Sequence, residues 1–320
     1  MARFVMEFER PLADLETKLE DLRELDRAGD LKLGDAIAEL EAEIEQLRVT
    51  LYQALSPWER VQVSRHPDRP KTQDYVEALC TDVFELHGDR AYGDDEAIFA
   101  GLATIAGRRA MILGHRKGKN TKENIRRNFG SPHPEGLRKA RRAMLMAEKF
   151  ELPVVSFIDT QGAHPGIEAE ERGQGWAIAE NLATLAALRV PVIAVGIGEG
   201  GSGGALAIGF GDRLIMLENA YYSVISPEAC ASILYKDASR APEISACLQM
   251  TAEDLVRLGI ADEIVPEPLG GAHRDPEMVF TGVNRAVSSA LDALCGQEIG
   301  QVVDRRFERL SSIGVFTEGE

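Results

Sequence analysis

The residues with the clearest chemical potential form a glycine-rich segment directly after a short apolar run. Residues 198–204 read GEGGSGG and follow the run from Pro191 to Ile197. Glycines that enter a short helix expose consecutive backbone N–H groups at its positive end. Because they have no Cβ atoms, they also let a substrate oxygen approach closely. This pattern predicts an oxyanion hole, which stabilises negative charge developing on a reacting oxygen.

A dinucleotide site is a second interpretation of the same letters. The segment contains G-x-G-x-x-G, and Glu218 lies at the end of the next predicted strand, where a ribose-binding acid would stand. A crossover helix needs about ten residues, however, and only residues 203–209 are available before the next strand begins. The spacing therefore argues against this interpretation.

A hydrolase is a third interpretation. The segment also contains G-x-S-x-G with Ser202 at the nucleophile position, and Asp262 and His273 follow in the matching chain order. Acidic residues are abundant in this chain, so such a match arises readily by chance. A Ser202-dependent hydrolase remains an alternative at this point.

The elements that must position this segment alternate between short apolar strands and helices, which predicts an α/β fold. Helices are predicted from Pro134 to Phe150 and from Gly173 to Leu188. Strands are predicted at 97–105, 110–113, 153–158, 191–197, 213–217 and 260–265.

The first sixty residues have a different pattern. Leucine and isoleucine recur at alternating steps of three and four within 12–22 and again within 37–51, and Ala28-Gly29-Asp30 separates the two stripes. This predicts an antiparallel helical hairpin that packs on the body or on a partner, because helices this short cannot bury their stripes alone. Prolines near residue 70 interrupt helix, and we place a helical arm at 1–62 and a second domain at 63–320.

Charge is distributed unevenly along the chain. The net charge is −16, yet residues 108–142 hold twelve Lys and Arg against two Glu, a local charge of +10 that leaves −26 elsewhere. The acidic excess argues against nucleic acid as a partner of the whole chain. The basic segment itself predicts attraction for phosphate, from a nucleotide-bearing coenzyme or from nucleic acid, unless it is only a solvated face.

Composition excludes several other classes. The sequence has no uncharged apolar run long enough to span a membrane, and its first residues lack the apolar region of a secretory signal, so we expect a cytoplasmic protein without a membrane partner. The four cysteines are far apart and form no C-x-x-C pair. We therefore predict neither a metal site nor a disulfide framework in this chain.

Six blocks of sequence together carry a resemblance to a known family. They are residues 114–130, 157–160, 169–174, 197–209, 223–228 and 267–273. In order and spacing they resemble the alpha subunit of the bacterial acetyl-coenzyme A carboxylase carboxyltransferase, over nearly the whole chain. Many family members have proline at the position of Gln161 and tyrosine at that of His164, a departure that concerns contacts near the biotin pocket and not the reaction.

The resemblance implies a fold and a function. The fold would be a crotonase-like ββα superhelix preceded by the helical hairpin. The enzyme would transfer the carboxyl group of carboxybiotin, held on a biotin carboxyl carrier protein, to acetyl-coenzyme A, giving malonyl-coenzyme A in the first committed step of fatty acid biosynthesis. It would act as an alpha2beta2 heterotetramer, with biotin carboxylase in the full complex and with zinc on the beta subunit, none on this chain.

The resemblance also implies site residues. Gly203 and Gly204 would donate backbone hydrogen bonds to the ureido oxygen of biotin. The biotin pocket would comprise Gly200, Gly201, Ser202, Gly162, Ala163 and His164. Arg116, Lys119, Arg126 and Arg127 would contact the coenzyme's phosphates or an acidic partner face. A rival from another class is a noncatalytic crotonase-like scaffold that uses its basic segment to bind nucleic acid.

Overall fold

The computed structural model describes residues 4–28 and 33–314 of the 320-residue chain. The helices are α1 (Arg10–Ala28), α2 (Gly34–Gln53), α3 (Pro57–Ser64), α4 (Thr72–Leu79), α5 (Thr121–Arg126), α6 (Pro134–Lys149), α7 (Ile167–Glu171), α8 (Gln174–Ala187), α9 (Ser202–Leu206), α10 (Pro227–Tyr235), α11 (Ala241–Cys247), α12 (Ala252–Arg257), α13 (Pro276–Cys295) and α14 (Ile299–Ser311). The strands are β1 (Cys80–Glu85), β2 (Ile98–Ile105), β3 (Arg108–His115), β4 (Val154–Thr160), β5 (Val192–Gly201), β6 (Arg213–Leu217), β7 (Tyr221–Ser223) and β8 (Glu263–Val265).

One mixed sheet lies at the centre of the protein. Its strand order is β1-β2-β3-β4-β5-β6-β8, and β7 pairs with the last residues of β5. The strands β1, β2 and β3 are antiparallel, whereas the pairings from β3 through β8 are parallel. The predicted α/β class is confirmed.

Helices cover both faces of the sheet. Alternate strand residues such as Val155 and Ile193 pack with α13, while Val154 and Val192 pack with α6 and α8. Parallel strands that are buried on both faces point their carboxyl ends to one edge, where a functional site is expected. The loops after β3, β4 and β5 therefore meet at that edge.

The six strands predicted from periodicity are present, with several differences at their ends. The strand β3 extends the predicted 110–113 to Arg108–His115, and β4 continues beyond residue 158 to Thr160. The strand β5 continues beyond Ile197 to Gly201, because this part of the glycine-rich segment pairs with β7 and, at Gly200, with Thr160. The strand β8 begins only at Glu263, because the N–H groups of Ile260 and Ala261 both donate to the carbonyl of Leu255 and complete the turn after α12.

The predicted helical hairpin is also present. Ion pairs join Glu16 to Arg48 and Arg23 to Glu41, a register in which α1 and α2 run antiparallel. Residues 1–3, which belong to the amino-terminal segment considered above, lie outside the described residues, as do Gly29 and Asp30 of the predicted turn. The hairpin reaches the body through a small apolar cluster of Met6, Tyr52, Leu55 and Val63. The proposed boundary between residues 62 and 63 falls within α3, and the division into two domains stays a prediction.

The carboxyl-terminal helix is fixed to the sheet by one buried arginine. Arg306 in α14 donates hydrogen bonds to the carbonyls of Leu185, Leu188 and Val190, at 2.7–2.8 Å. Its remaining donors contact both carboxylate oxygens of Asp212, at 2.7 and 2.8 Å. All its donors are thereby used within the interior.

None of the helices in the described part of the chain is long and apolar enough to cross a lipid bilayer.

Candidate active site

Three adjacent strands bring three charged residues together at the carboxyl edge of the sheet. Lys117 follows β3, Asp159 lies near the end of β4, and Glu199 lies in β5. The Nζ atom of Lys117 is 2.7 Å from Oδ1 of Asp159 and 2.8 Å from Oε1 of Glu199. One lysine thus bridges two carboxylates that emerge from neighbouring strands.

The end of α3 adds a second cation to these residues. The Nε atom of Arg65 donates to Oε2 of Glu199 at 2.7 Å, and its Nη1 atom donates to Glu228. The hydroxyl of Tyr221 donates to the same Oε2 atom of Glu199 at 2.8 Å. We call these residues, namely Arg65, Lys117, Asp159, Glu199, Tyr221 and Glu228, the charged cluster.

Within the charged cluster, Glu199 and Lys117 are held in their ionised forms. Burial opposes the charge on Glu199, but Lys117 and Arg65 outweigh it and lower the pKa of the carboxyl to about 2. Burial likewise opposes the charge on Lys117, yet Asp159 and Glu199 raise the pKa of its ammonium group. A carboxylate and an ammonium group with such values exchange no proton near neutral pH. Glu199 and Lys117 therefore supply fixed charge and position rather than general acid or base catalysis.

Two cavities meet at the charged cluster. One, of about 440 Å³, is lined by Lys71, Lys117 and Lys119, and we call it the lysine cavity. The other, of about 610 Å³, is lined by Gly162 and Ala163 among others, and we call it the glycine cavity. Arg65, Gln161 and Glu199 line both cavities.

The glycine-rich segment ends in a tight turn from β5 into α9. A Cβ atom on Gly201 would overlap the carbonyl of Gln161, and one on Gly204 would overlap the backbone N of Ala163. Only glycine therefore lets the backbone of residues 161–163 pack on this turn. Between them Ser202 has a left-handed φ of 51°, and no side chain caps the beginning of α9.

A buried histidine forms a hydrogen bond with the backbone of α9. The Nε2 atom of His115 lies 3.0 Å from the carbonyl oxygen of Gly204, which can only accept a hydrogen bond, so Nε2 carries the proton. The backbone N–H of Asp159 faces Nδ1 at 3.4 Å. Burial and the nearby Lys117 lower the pKa of His115 to about 3, and the ring is neutral.

The predicted biotin-pocket residues lie around this turn. Gly162 and Ala163 line the glycine cavity. Gly200 and Gly201 are buried in β5, whereas Ser202 and Gly203 are partly buried. The side chain of His164 turns towards Glu168, with Nε2 and Oε1 3.1 Å apart.

The Ser-His-Asp constellation is not assembled. The carboxylate of Asp262 accepts hydrogen bonds from Arg213, from the backbone of Leu214 and from Arg309. The ring of His273 stacks on that of His66, with centroids 3.7 Å apart. The dinucleotide interpretation fails as well, because α9 has only five residues.

Most cations of the basic segment pair with carboxylates of the same chain. Arg116 is buried against Glu85. Arg127 donates to Glu123 and to the carbonyl of Lys117.

Two of the four predicted phosphate contacts keep much of their surface in solvent. The side chains of Lys119 and Arg126 are 55% and 57% exposed, although Asp74 and Glu96 accompany them. These pairings also weaken the nucleic-acid alternative, because little unpaired positive charge remains.

Sequence reasoning missed the charged cluster as a unit. Asp159 and Glu199 stand near the carboxyl ends of two predicted strands, which was a usable signal because such ends meet at one edge. The contribution of Arg65 had no such signal, since it comes from a helix before the sheet.

Solved structures with this architecture define the class of fold. Transcarboxylase 12S superposes with a TM-score of 0.59 at 18% identity, over 71% of this chain and 42% of that one, so this chain spans less than half of the transcarboxylase chain. A Pseudomonas malonate decarboxylase hetero-tetramer in complex with coenzyme A gives a TM-score of 0.59 at 19% identity, over 74% and 94%. The chain has the crotonase-like fold of these two proteins.

Sequence comparisons define the family. Residues 5–314 match the family model described as acetyl co-enzyme A carboxylase carboxyltransferase-like. The acetyl-coenzyme A carboxylase carboxyl transferase subunit alpha of Anoxybacillus flavithermus is 51% identical, over 99% of this chain and 98% of that protein. Its counterpart in Alcanivorax borkumensis is 50% identical, over 97% and 96%. The chain belongs to this family of alpha subunits, and the resemblance inferred from its motifs is confirmed.

Proposed function

We propose that this chain is the alpha half of a carboxyltransferase that moves a carboxyl group from carboxybiotin to the methyl carbon of acetyl-coenzyme A. The product is malonyl-coenzyme A, for fatty acid biosynthesis in the cytoplasm. The observation that carries the proposal is the turn at 201–204, which packs on residues 161–163 at the edge of the glycine cavity. Family membership over nearly the full length supports it.

In this reaction the chain must stabilise one developing negative charge, on the ureido oxygen of biotin. Carboxybiotin supplies the carboxyl group as carbon dioxide and, once its N1 atom is free, the base that takes the methyl proton. The backbone N–H groups of Gly203 and Gly204 donate hydrogen bonds to the ureido oxygen while charge develops there. Loss of one such donor typically costs about 100 to 1,000-fold in rate.

The charged cluster positions this apparatus. Lys117 holds Asp159 and Glu199 in place, and Glu199 lies two residues before the glycine turn. Because its pKa is held at about 2, the Glu199 carboxylate is a weak base for the methyl proton. The absence of a protein base from the scheme agrees with these pKa values.

The remaining assignments concern the coenzyme and the partners. Lys119 and Arg126 contact the coenzyme's phosphates, with Arg116 and Arg127 behind them. The beta subunit completes an alpha2beta2 heterotetramer, supplies the donors for the thioester oxygen and carries the zinc. The biotin carboxyl carrier protein delivers the biotin, and biotin carboxylase joins the full complex. The helical arm at 1–62 serves packing and partner contacts.

The reverse half-reaction tests the proposal. Malonyl-coenzyme A-dependent carboxylation of biocytin is measured on this chain alone and after addition of the beta subunit. We expect activity only in the mixture, because each chain holds half of the site. No carboxylation of biocytin by a well-formed complex would mean that the glycine turn serves another reaction.

A further inference from the structure

Three side chains with metal-ligating atoms converge next to loop residues that line the glycine cavity. They are His133, His164 and Glu168, and one ligand atom of each lies within 4.8 Å of the other two. The two imidazole rings have centroids 4.3 Å apart at an angle of 37°. The Nε2 atom of His164 is 3.1 Å from Oε1 of Glu168. Within the described ranges this is the only such group of three.

We propose that His133, His164 and Glu168 bind a divalent transition-metal ion of the Zn²⁺ and Co²⁺ type. Two imidazole nitrogens and one carboxylate oxygen are the donors that such ions prefer, whereas Mg²⁺ and Ca²⁺ favour oxygen-only sites. Three protein ligands leave a fourth tetrahedral position for water or for a substrate oxygen. The site is defined by its own ligands and does not depend on the proposed carboxyl transfer.

The distances suit a tetrahedral ion after a small side-chain movement. Bonds of about 2.0–2.2 Å to the metal place neighbouring ligand atoms roughly 3.3 Å apart. The pair of His164 and Glu168 is already at 3.1 Å. The third ligand comes from His133. Because no ligand atom is more than 4.8 Å from another, rotation of these partly exposed side chains brings all three ligand atoms within bonding distance of one ion.

Neighbouring residues orient the first imidazole. The side-chain amide of Asn128 is 2.6 Å from Nδ1 of His133. The atom on this side is the amide nitrogen Nδ2, so metal binding through Nε2 of His133 requires the amide to rotate by about 180°. Its oxygen then accepts the Nδ1 proton, the arrangement that usually accompanies ligating histidines. The backbone N–H of His133 donates to Asp95 at 2.7 Å, which fixes the residue at the start of α6.

The loop that carries His164 is fixed by a different residue. The Nε2 atom of Gln174 donates to the carbonyl of His164 at 2.9 Å and to that of Pro132 at 2.8 Å. One glutamine thus ties together the two loops that carry the imidazoles. The backbone of both loops is therefore held in place before any ion binds.

The proposed metal site is close in sequence to residues that line the glycine cavity. Ser131, Ala163 and Pro165 line the glycine cavity and lie within two residues of a proposed ligand. A bound ion would lock these loops together.

Cobalt binding to the full-length chain tests the proposal, without the beta subunit so that metal on a partner does not contribute. Co²⁺ is titrated in and read by its visible absorption, and Zn²⁺ is then added as competitor. We expect one saturable Co²⁺ per chain, displaced by Zn²⁺. The His164→Ala variant should lose this absorption, and Asn128→Ala should weaken binding by roughly 10 to 100-fold.

Two further variants separate ligation from folding. Glu168 is exposed, so Glu168→Gln should fold normally and still bind Co²⁺ more weakly, with a smaller rise of Tm on Co²⁺ addition than in the wild type. His87, which pairs with Asp94 but has no second imidazole, is the matched control, and His87→Ala should bind as the wild type does. No saturable absorption in the wild type, or equal absorption in His164→Ala, would overturn the proposal.

Discussion

Arg69 and Glu267 form a two-pronged ion pair inside the protein. Their paired atoms are 2.8 and 2.5 Å apart, and the side chains are 4% and 0% exposed. Arg69 also donates to the carbonyl of Ile197 at 2.7 Å, and the backbone N–H groups of Asn219 and Ala272 donate to Glu267. The pair therefore ties β5, just before the glycine turn, to two loops.

Breaking this pair should destabilise the protein strongly. The variant Glu267→Gln leaves the Arg69 guanidinium buried without its counter-ion, which typically costs roughly 3–5 kcal/mol. Urea unfolding at neutral pH measures the change. The exposed pair of Arg240 and Glu243 is the control, and Glu243→Gln should change stability little. Similar changes in both variants would contradict the assignment.

Stability should fall in mild acid because of His115. Its pKa is about 3 in the folded protein and 6.5 in the unfolded chain, so between these values only the unfolded chain takes up the proton. The free energy of unfolding should therefore decrease as the pH drops from about 6.5 towards 3.

Urea unfolding at pH 7.5 and pH 5 measures this loss in the wild type and in His115→Gln. The variant should lose less stability between the two pH values, although His273, whose pKa burial and His66 also lower to about 3, still contributes. An identical loss in both proteins would show that His115 is not responsible.

The charges of Lys117 and Glu199 should prove interdependent. Lys117→Met leaves Asp159 and Glu199 close together without their bridging cation, and we expect a loss of stability and of carboxyl transfer. Lys117→Met combined with Glu199→Gln should be less destabilising than the sum of the two single changes. A double-mutant cycle by thermal unfolding measures the coupling, and additive effects would contradict it.

The glycine turn should tolerate no Cβ atom at residue 204. In Gly204→Ala the new methyl group overlaps the backbone of Ala163, and we expect biocytin carboxylation to fall at least about 100-fold. Gly203→Ala should lose less, because its Cβ meets only the flexible Ile178 side chain, at 3.0 Å.

The control for the glycine turn is Gly175→Ala in α8. No atom lies within 4 Å of a Cβ atom at this position, so activity should be unchanged. Full activity in Gly204→Ala would place the reaction elsewhere.

The coenzyme contacts should show in the Michaelis constant. Replacing Lys119 and Arg126 by alanine should raise KM for malonyl-coenzyme A, more at low than at high salt, with kcat little changed. Arg127 is left intact, because it donates to the carbonyl of Lys117 and its loss would disturb the charged cluster. Arg108→Ala, which removes an exposed arginine paired with Asp292, is the control. An unchanged KM would remove these residues from the coenzyme site.

Hydrophobic periodicity predicted the central strands because β4 and β5 are buried along their whole length. It missed β1, whose residues 81–84 are all exposed, and β7, which has only three residues. The glycine turn could be predicted from the sequence because the residues that form it are consecutive in the chain. The charged cluster was not, since Arg65 and Glu199 are 134 residues apart in sequence and only the packing of α3 against β5 joins them.

The buried Arg306 has a consequence for folding during synthesis. The ribosome makes α14 after every strand of the sheet. The carbonyls of Leu185, Leu188 and Val190 and the Asp212 carboxylate therefore lack their arginine until α14 has emerged. Until then the loop that enters β5 lacks its buried partner. We therefore expect the loop that enters β5 to reach its final order only after α14 has been made.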